Sequence, residues 1–171
     1  MSFARQVVGA DASPFYINCS PLQDALENDC FPLIENYVAR HGGTSVFGWA
    51  IWERPKVFIE AEFHAVWCAP DGSYLDLSPR PLPIPRILFL PNHNRKYNGA
   101  QVNNIRKALT KDKDVQRFLS LSDHWFRLIN KGELKYKREV KKTPEMFAVE
   151  RERTALNLKL LYRYGPWLPE S

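Results

Sequence analysis

From Asp29 the chain reads D-C-F-P-L-I-E-N-Y-V-A-R-H-G-G, with Phe31, Ile34, Tyr37 and Val38 recurring at helical spacing before a Gly42-Gly43 stop. The spacing predicts a helix over about residues 30–41. Asn28 and Asp29 are both good N-cap residues. Pro32 is tolerated only in a first turn, where its missing N–H breaks no intrahelical bond, so Cys30 falls at the helix start. The period then changes. Residues 44–53 are rich in Val, Phe, Trp and Ile, and after a break at Arg54-Pro55 the chain alternates through residues 56–67. Val57, Ile59, Ala61, Phe63, Ala65 and Trp67 form one face of that second strand, and Lys56, Glu60, Glu62 and His64 the other.

Ala69-Pro70-Asp71-Gly72-Ser73 is a turn signal, and Tyr74-Leu75-Asp76-Leu77 resumes strand character, which makes a β-hairpin. Its register follows from loop length. An odd-numbered loop, residues 70–72 or 69–73, pairs even positions with even ones and sets Asp76 opposite Val66, diagonal to His64 and on its face. Residues 78–85 carry four prolines and read as an extended connection, followed by a short strand at 86–90 and a polar loop at 92–99. Apolar positions at helical intervals predict one helix over 112–130 and a last one from Thr143-Pro144 to Tyr162. Residues 131–142 between them fit either an edge strand or a solvated connector. The expected class is α+β, in a single domain over 1–171 with a core at 28–79 and a basic, mainly helical part at 86–171.

The length of 171 residues suits one domain, and 44% apolar with 25% charged residues excludes a collagen-like or generally disordered chain. No apolar run approaches a membrane span and the N-terminus does not read as a secretory signal. Cys19, Cys30 and Cys68 lack C-x-x-C spacing, which points away from a structural zinc site or a disulfide framework and toward a reducing, cytoplasmic setting. Charge is uneven: residues 1–85 hold 5 basic and 10 acidic groups, residues 86–171 hold 19 and 9. The basic half is suited to an acidic partner, whether nucleic acid, a membrane surface or an acidic protein.

Candidate chemistry lies in three residues: a thiol at a helix N-terminus (Cys30), an imidazole on a strand (His64) and a carboxylate on the next strand (Asp76). A helix N-terminus favours a thiolate and offers N–H groups to an oxyanion, an imidazole can take and return the proton, and a carboxylate can fix the imidazole tautomer. Gln23, Asn28 and Trp49 are further candidates for oxyanion or substrate contacts. Cys19 is the substitute nucleophile if Cys30 is buried. Glu60 and Glu62 flank His64, but three ligands from one short strand make a poor metal site, and a solvated face is the simpler reading. The loop at 91–97, P-N-H-N-R-K-Y, is either a nucleic-acid contact or plain solvated loop. Phosphate-loop, dinucleotide, zinc-protease and serine-hydrolase motifs are absent, and no cofactor is expected.

The order of a Cys at a helix start, H-A-V-W on a strand, and P-D-G-S-Y-L-D-L-S-P resembles the papain-like core of transglutaminase-like and NlpC/P60 proteins over residues 28–79. G-W-A-I-W-E with I-E-A-E-F-H-A-V-W is similar to an uncharacterised group of small bacterial proteins. The first resemblance implies a papain-like core, with a Cys-bearing helix packed on a small antiparallel sheet. It also implies a cysteine hydrolase or transamidase (protease, deamidase or amidase) acting on a protein or peptide amide through Cys30, His64 and Asp76. The alternative is a non-enzymatic binding module whose basic half engages nucleic acid or an acidic protein.

Overall fold

In the computed structural model, which describes residues 2–137 and 139–165, the elements run α1 (Phe3–Val8), β1 (Phe15–Cys19), α2 (Cys30–His41), β2 (Thr44–Arg54), β3 (Phe58–Cys68), β4 (Tyr74–Asp76), β5 (Arg86–Pro91), β6 (Ile105–Ala108), α3 (Lys113–Ile129), a 3-10 turn (Gly132–Tyr136) and α4 (Pro144–Tyr164). Five strands follow the order β2-β5-β1-β4-β3, and β3 pairs back to β2, so the sheet closes into a barrel; β6 pairs with β3 as a sixth strand. Closure removes the open edges that short strands would otherwise expose. The class is mixed α and β, as expected. The small antiparallel sheet is corrected, because β1 runs parallel to β4 while β5 is antiparallel to both β1 and β2. A parallel pair needs a crossover, and α2, β2 and β3 supply it between Cys19 and Tyr74.

Contacts group the described residues into two compact units, one formed by residues 2–52 and 61–97, the other by residues 53–60, 98–137 and 139–165. β5, from the basic half of the sequence, belongs to the first unit.

In the first unit Ile17, Ala50, Val66, Ile87 and Phe89 form one buried core, and α2 lays Cys30 and Ile34 against Ala65 and Leu77 to form another. Neighbouring residues of β3 therefore point into different cores, and Phe63, His64, Ala65 and Val66 are all buried. A strand covered on both faces is not the half-solvated strand that its alternation predicts. The carboxylates on the expected solvated face are half-buried and bonded instead: Glu62 accepts from the Trp52 indole at 2.8 Å. The end of α2 is fastened to β3, where the Trp67 indole donates to the Gly42 carbonyl at 2.9 Å and Tyr37 packs edge-on to Trp67. Gly43 has φ 80°, and a Cβ there would lie 2.3 Å from the Cys68 carbonyl oxygen, so both backbone and space require glycine.

In the second unit Val57 and Phe58 pack with Val115, Leu119 and Leu160 of α3 and α4. Arg54 is buried and donates to the Leu160 and Gly165 carbonyls, closing the end of α4. Arg106 of β6 bridges Glu60 and Asp123, at 3.0 Å to each. Thr143 caps α4 as the sequence leads one to expect, its hydroxyl accepting from the Met146 N–H, with Pro144 in the first helical position. Residues 132–136 form a 3-10 turn in a mostly exposed connection, which fits the solvated connector and not the edge strand. Among the described residues no helix is long and apolar enough to cross a membrane.

Candidate active site

Asn28 adopts the left-handed φ of 60° that asparagine tolerates, Asp29 takes the N-cap position, and Cys30 is the first residue of α2. The route to that position is set by β1. Beyond Cys19, which pairs with Asp76, the Ser20 N–H donates to the Asp76 carbonyl at 2.8 Å and the Leu22 N–H to the Leu77 carbonyl at 3.1 Å. The chain is thus carried along β4 before it turns into α2. On the other side, β3 and β4 pair Trp67 with Leu75 and Cys68 with Tyr74, around the five-residue loop 69–73. That even-to-even register puts Asp76 across from Val66 and diagonal to His64, as the odd loop requires.

Two of the three side chains are bonded directly. His64 Nε2 lies 3.0 Å from Asp76 Oδ1, with the imidazole 4% exposed and the carboxylate fully buried. Cys30 packs against Ala65, the next residue of β3, and lies near enough for its charge to raise the His64 imidazole. With Nε2 directed at Asp76, Nδ1 is the ring nitrogen left for the thiol. Cys30 itself is only 8% exposed, less open than a cleft nucleophile is expected to be. Burial pushes the His64 imidazolium down, but the Cys30 charge and the hydrogen bond to Asp76, helped by the Cys30 hydrogen bond and the Asp76 charge, raise it from 6.5 to about 10. Burial pushes the Asp76 carboxyl up, yet His64, Arg80 and the Ser78 N–H together hold it well below the usual carboxylate range. This arrangement favours a charged imidazole backed by a carboxylate.

The carboxylate is over-determined. Besides His64, Oδ1 accepts the Ser78 N–H at 3.0 Å, while Oδ2 accepts the Arg80 guanidinium and the Cys19 thiol, the latter at 3.9 Å. Burial first, then Asp76, push the Cys19 thiol up to about 11. Cys19 is therefore a protonated donor to the carboxylate, which does not suit the substitute-nucleophile role. Arg80 also donates to the Ser78 carbonyl and lies 5.2 Å from the Trp52 ring centre. Arg80 and Ser78 were legible only as parts of a proline-rich connection; the one signal for Arg80 is its position four residues after Asp76.

Because Arg80 favours the charged form of a fully buried carboxylate, Arg80→Met is expected to destabilise the protein by about 2–4 kcal/mol at neutral pH. Asp76 is depressed in the folded state, so its contribution is present above its ordinary value of 3.8 and lost as pH falls. Acid unfolding of Arg80→Met should accordingly begin at a higher pH than in the parent, with partial recovery in Arg80→Lys. Chemical denaturation as a function of pH checks both expectations.

Of the candidate oxyanion or substrate contacts, Gln23 and Asn28 are exposed in turns that precede α2. Trp49 is 1% exposed, and its indole N–H is buried without a hydrogen-bond partner among the described residues. It packs on Phe63 at 5.3 Å, the residue before His64. Glu60 is engaged by Arg106 and Asn104, and Glu62 by Trp52, so neither carboxylate is directed at His64. The loop at 91–97, read as a nucleic-acid contact or solvated loop, belongs to the same unit as the triad. Tyr97 stacks on Phe31 with ring centres 3.8 Å apart, and burial followed by the charges of Cys30, Asp29 and Glu35 pushes its phenol up. No family model, curated protein or solved structure matches this chain.

Proposed function

We propose that the protein is a cofactor-independent cysteine hydrolase or transamidase of papain-like architecture, acting on a protein or peptide amide. The observation that carries this reading is the buried His64–Asp76 pair, with Cys30 at the start of α2 packed against Ala65 and Leu77, the residues that follow each of them. Cys30 gives its proton to His64 and its sulfur attacks the amide carbon, which forms a C–S bond and an oxyanion. N–H groups of the first turn of α2 are suited to that oxyanion, and the unpaired Trp49 indole is a further candidate donor. The C–N bond then breaks, and His64 returns the proton to the departing amine. Water, or a second amine in transfer, attacks the thioester while His64 takes its proton, and the thiol leaves. Asp76 keeps Nε2 as the protonated nitrogen throughout.

The binding-module alternative is less favoured, because part of the positive charge in the second unit is already paired. Arg117 is bound to Glu152, Lys142 to Glu150, and Arg163 to Asp112 and Asp114. The hydrolase reading is tested by the alkylation rate of Cys30 with iodoacetamide at neutral pH, resolved by peptide mass spectrometry. His64→Gln is expected to slow it about tenfold or more, since the imidazole sustains the thiolate. An unchanged rate would sink the reading.

A further inference from the structure

The segment after β5 carries a cation that no acidic group among the described residues claims. The Asn92 N–H donates to the Phe47 carbonyl at 2.9 Å and the Arg95 N–H to the Asn92 carbonyl at 3.1 Å, so the loop has a defined turn. Tyr97 closes it by stacking on Phe31, the residue after the proposed nucleophile. Between these anchors Arg95 is exposed, and its guanidinium carbon lies 5.4 Å from the Trp49 ring centre and 5.2 Å from that of Phe63. Phe63 precedes His64 and is 5.2 Å from Phe31, so one ring separates the cation from the residue next to Cys30.

Four other arginines answer to carboxylates, Arg80 to Asp76, Arg106 to Glu60 and Asp123, Arg117 to Glu152, and Arg163 to Asp112 and Asp114, while Arg86 and Arg153 also lie over rings, those of Tyr16 and Trp125. Among the described residues the Arg95 side chain makes only its two aromatic contacts. Aromatic faces hold a guanidinium in place through its charge without consuming its N–H donors. The result is a pre-positioned planar fork, one ring away from Phe31, with its hydrogen-bonding capacity unspent. A carboxylate is the group that matches such a fork in charge and in bidentate geometry.

Resting on the hydrolase reading, we propose that Arg95 is a specificity-determining residue which selects substrates bearing a carboxylate next to the reacting amide, as in an acidic side chain or a peptide C-terminus. The test uses the full chain and three peptide vinyl sulfones that differ only in the residue beside the warhead: Glu, its neutral isostere Gln, or Lys. In each, the Cys30 sulfur adds to the terminal vinyl carbon and the carbon beside the sulfone takes the proton from His64. The Glu probe is expected to alkylate Cys30 at least tenfold faster than the Gln probe, with Lys slowest and the Glu/Gln ratio falling as salt rises. Arg95→Gln should bring the ratio to about one, and Arg95→Lys should retain part of it, since the charge stays and the fork is lost. No preference in the parent protein, or a preference that survives in Arg95→Gln, would overturn the assignment. The ratio in the parent decides the matter even if a variant fails to fold. If the probes react in a His64-dependent way but without preference, the specificity fails and the hydrolase reading stands. If none modifies Cys30, both fall.

Discussion

Replacing Cys30 with serine is expected to reduce covalent turnover by about ten-thousandfold or more while shifting the melting temperature by less than about 3 °C. The two readouts separate because of what surrounds the thiol. Cys30 is buried against Ile34, Ala65 and Leu77, where an unpartnered hydroxyl would cost about 1–3 kcal/mol. A serine hydroxyl at this position inherits the His64 imidazole as its partner, which offsets that cost. The same hydroxyl is a far weaker nucleophile than a thiolate held by an imidazolium, so chemistry is lost although packing is kept. Calorimetry together with the vinyl sulfone rates measures both quantities. A melting temperature that drops by more than about 6 °C with no reactivity in the parent protein would identify Cys30 as a packing residue.

Asp76 should behave in the opposite way, because it holds the site together electrostatically as well as chemically. Removing the carboxylate in Asp76→Ala leaves the Arg80 guanidinium and the His64 imidazolium facing each other in a water-poor site, at an expected cost of about 3–5 kcal/mol. For a chain of this size that is a fall of about 6–20 °C. Asp76→Asn keeps an acceptor for His64 and is expected to cost less stability, but it permits the wrong imidazole tautomer and should lower turnover by about ten-thousandfold.

The pH dependence has two limbs with opposite signs. His64 is raised in the folded state, so its contribution is complete below its ordinary value of 6.5 and is lost as pH climbs through about 10. In the proposed pair the proton on His64 is the one Cys30 gave up, so folded and unfolded chains bind equal numbers up to the ordinary thiol range of about 8.5; between there and about 10 the folded chain binds one more, and stability should fall by up to about 1.4 kcal/mol per pH unit. Asp76 is depressed, so its contribution is complete above 3.8 and disappears on further acidification. Urea denaturation from pH 3 to 10 is expected to show both limbs in the parent protein. His64→Gln should flatten the alkaline one, and Asp76→Asn should weaken both. A parent curve without an alkaline limb would contradict a charged His64 in the folded protein.

Residues close together in the chain announced themselves. The bounds of α2 follow from Phe31, Ile34, Tyr37 and Val38 at helical spacing, a first-turn Pro32 and the Gly42 stop, each of which acts within a few residues. The register that sets Asp76 diagonal to His64 follows from the odd length of the 69–73 turn, and the start of α4 from Thr143-Pro144. Cys30, His64 and Asp76 were legible as candidates for this reason: each lies where a local rule places it.

What local rules could not reach depends on partners distant in the chain. Phe15–Cys19 has no distinctive pattern, yet as β1 it pairs with β4 and β5, joins the barrel and delivers the chain to the start of α2. The Cys19 thiol and the Asp76 carboxylate it bonds are 57 residues apart. Arg80 looked like part of a solvated proline-rich connection, and the segment with Arg95 and Tyr97 like a polar loop, because composition states what a side chain can bind but not what stands opposite it. Periodicity and turn chemistry are properties of neighbouring residues. Barrel closure and the surroundings of a buried charge belong to contacts that form only when separate segments pack together, and those contacts decide which charges around Cys30 are paired within the fold.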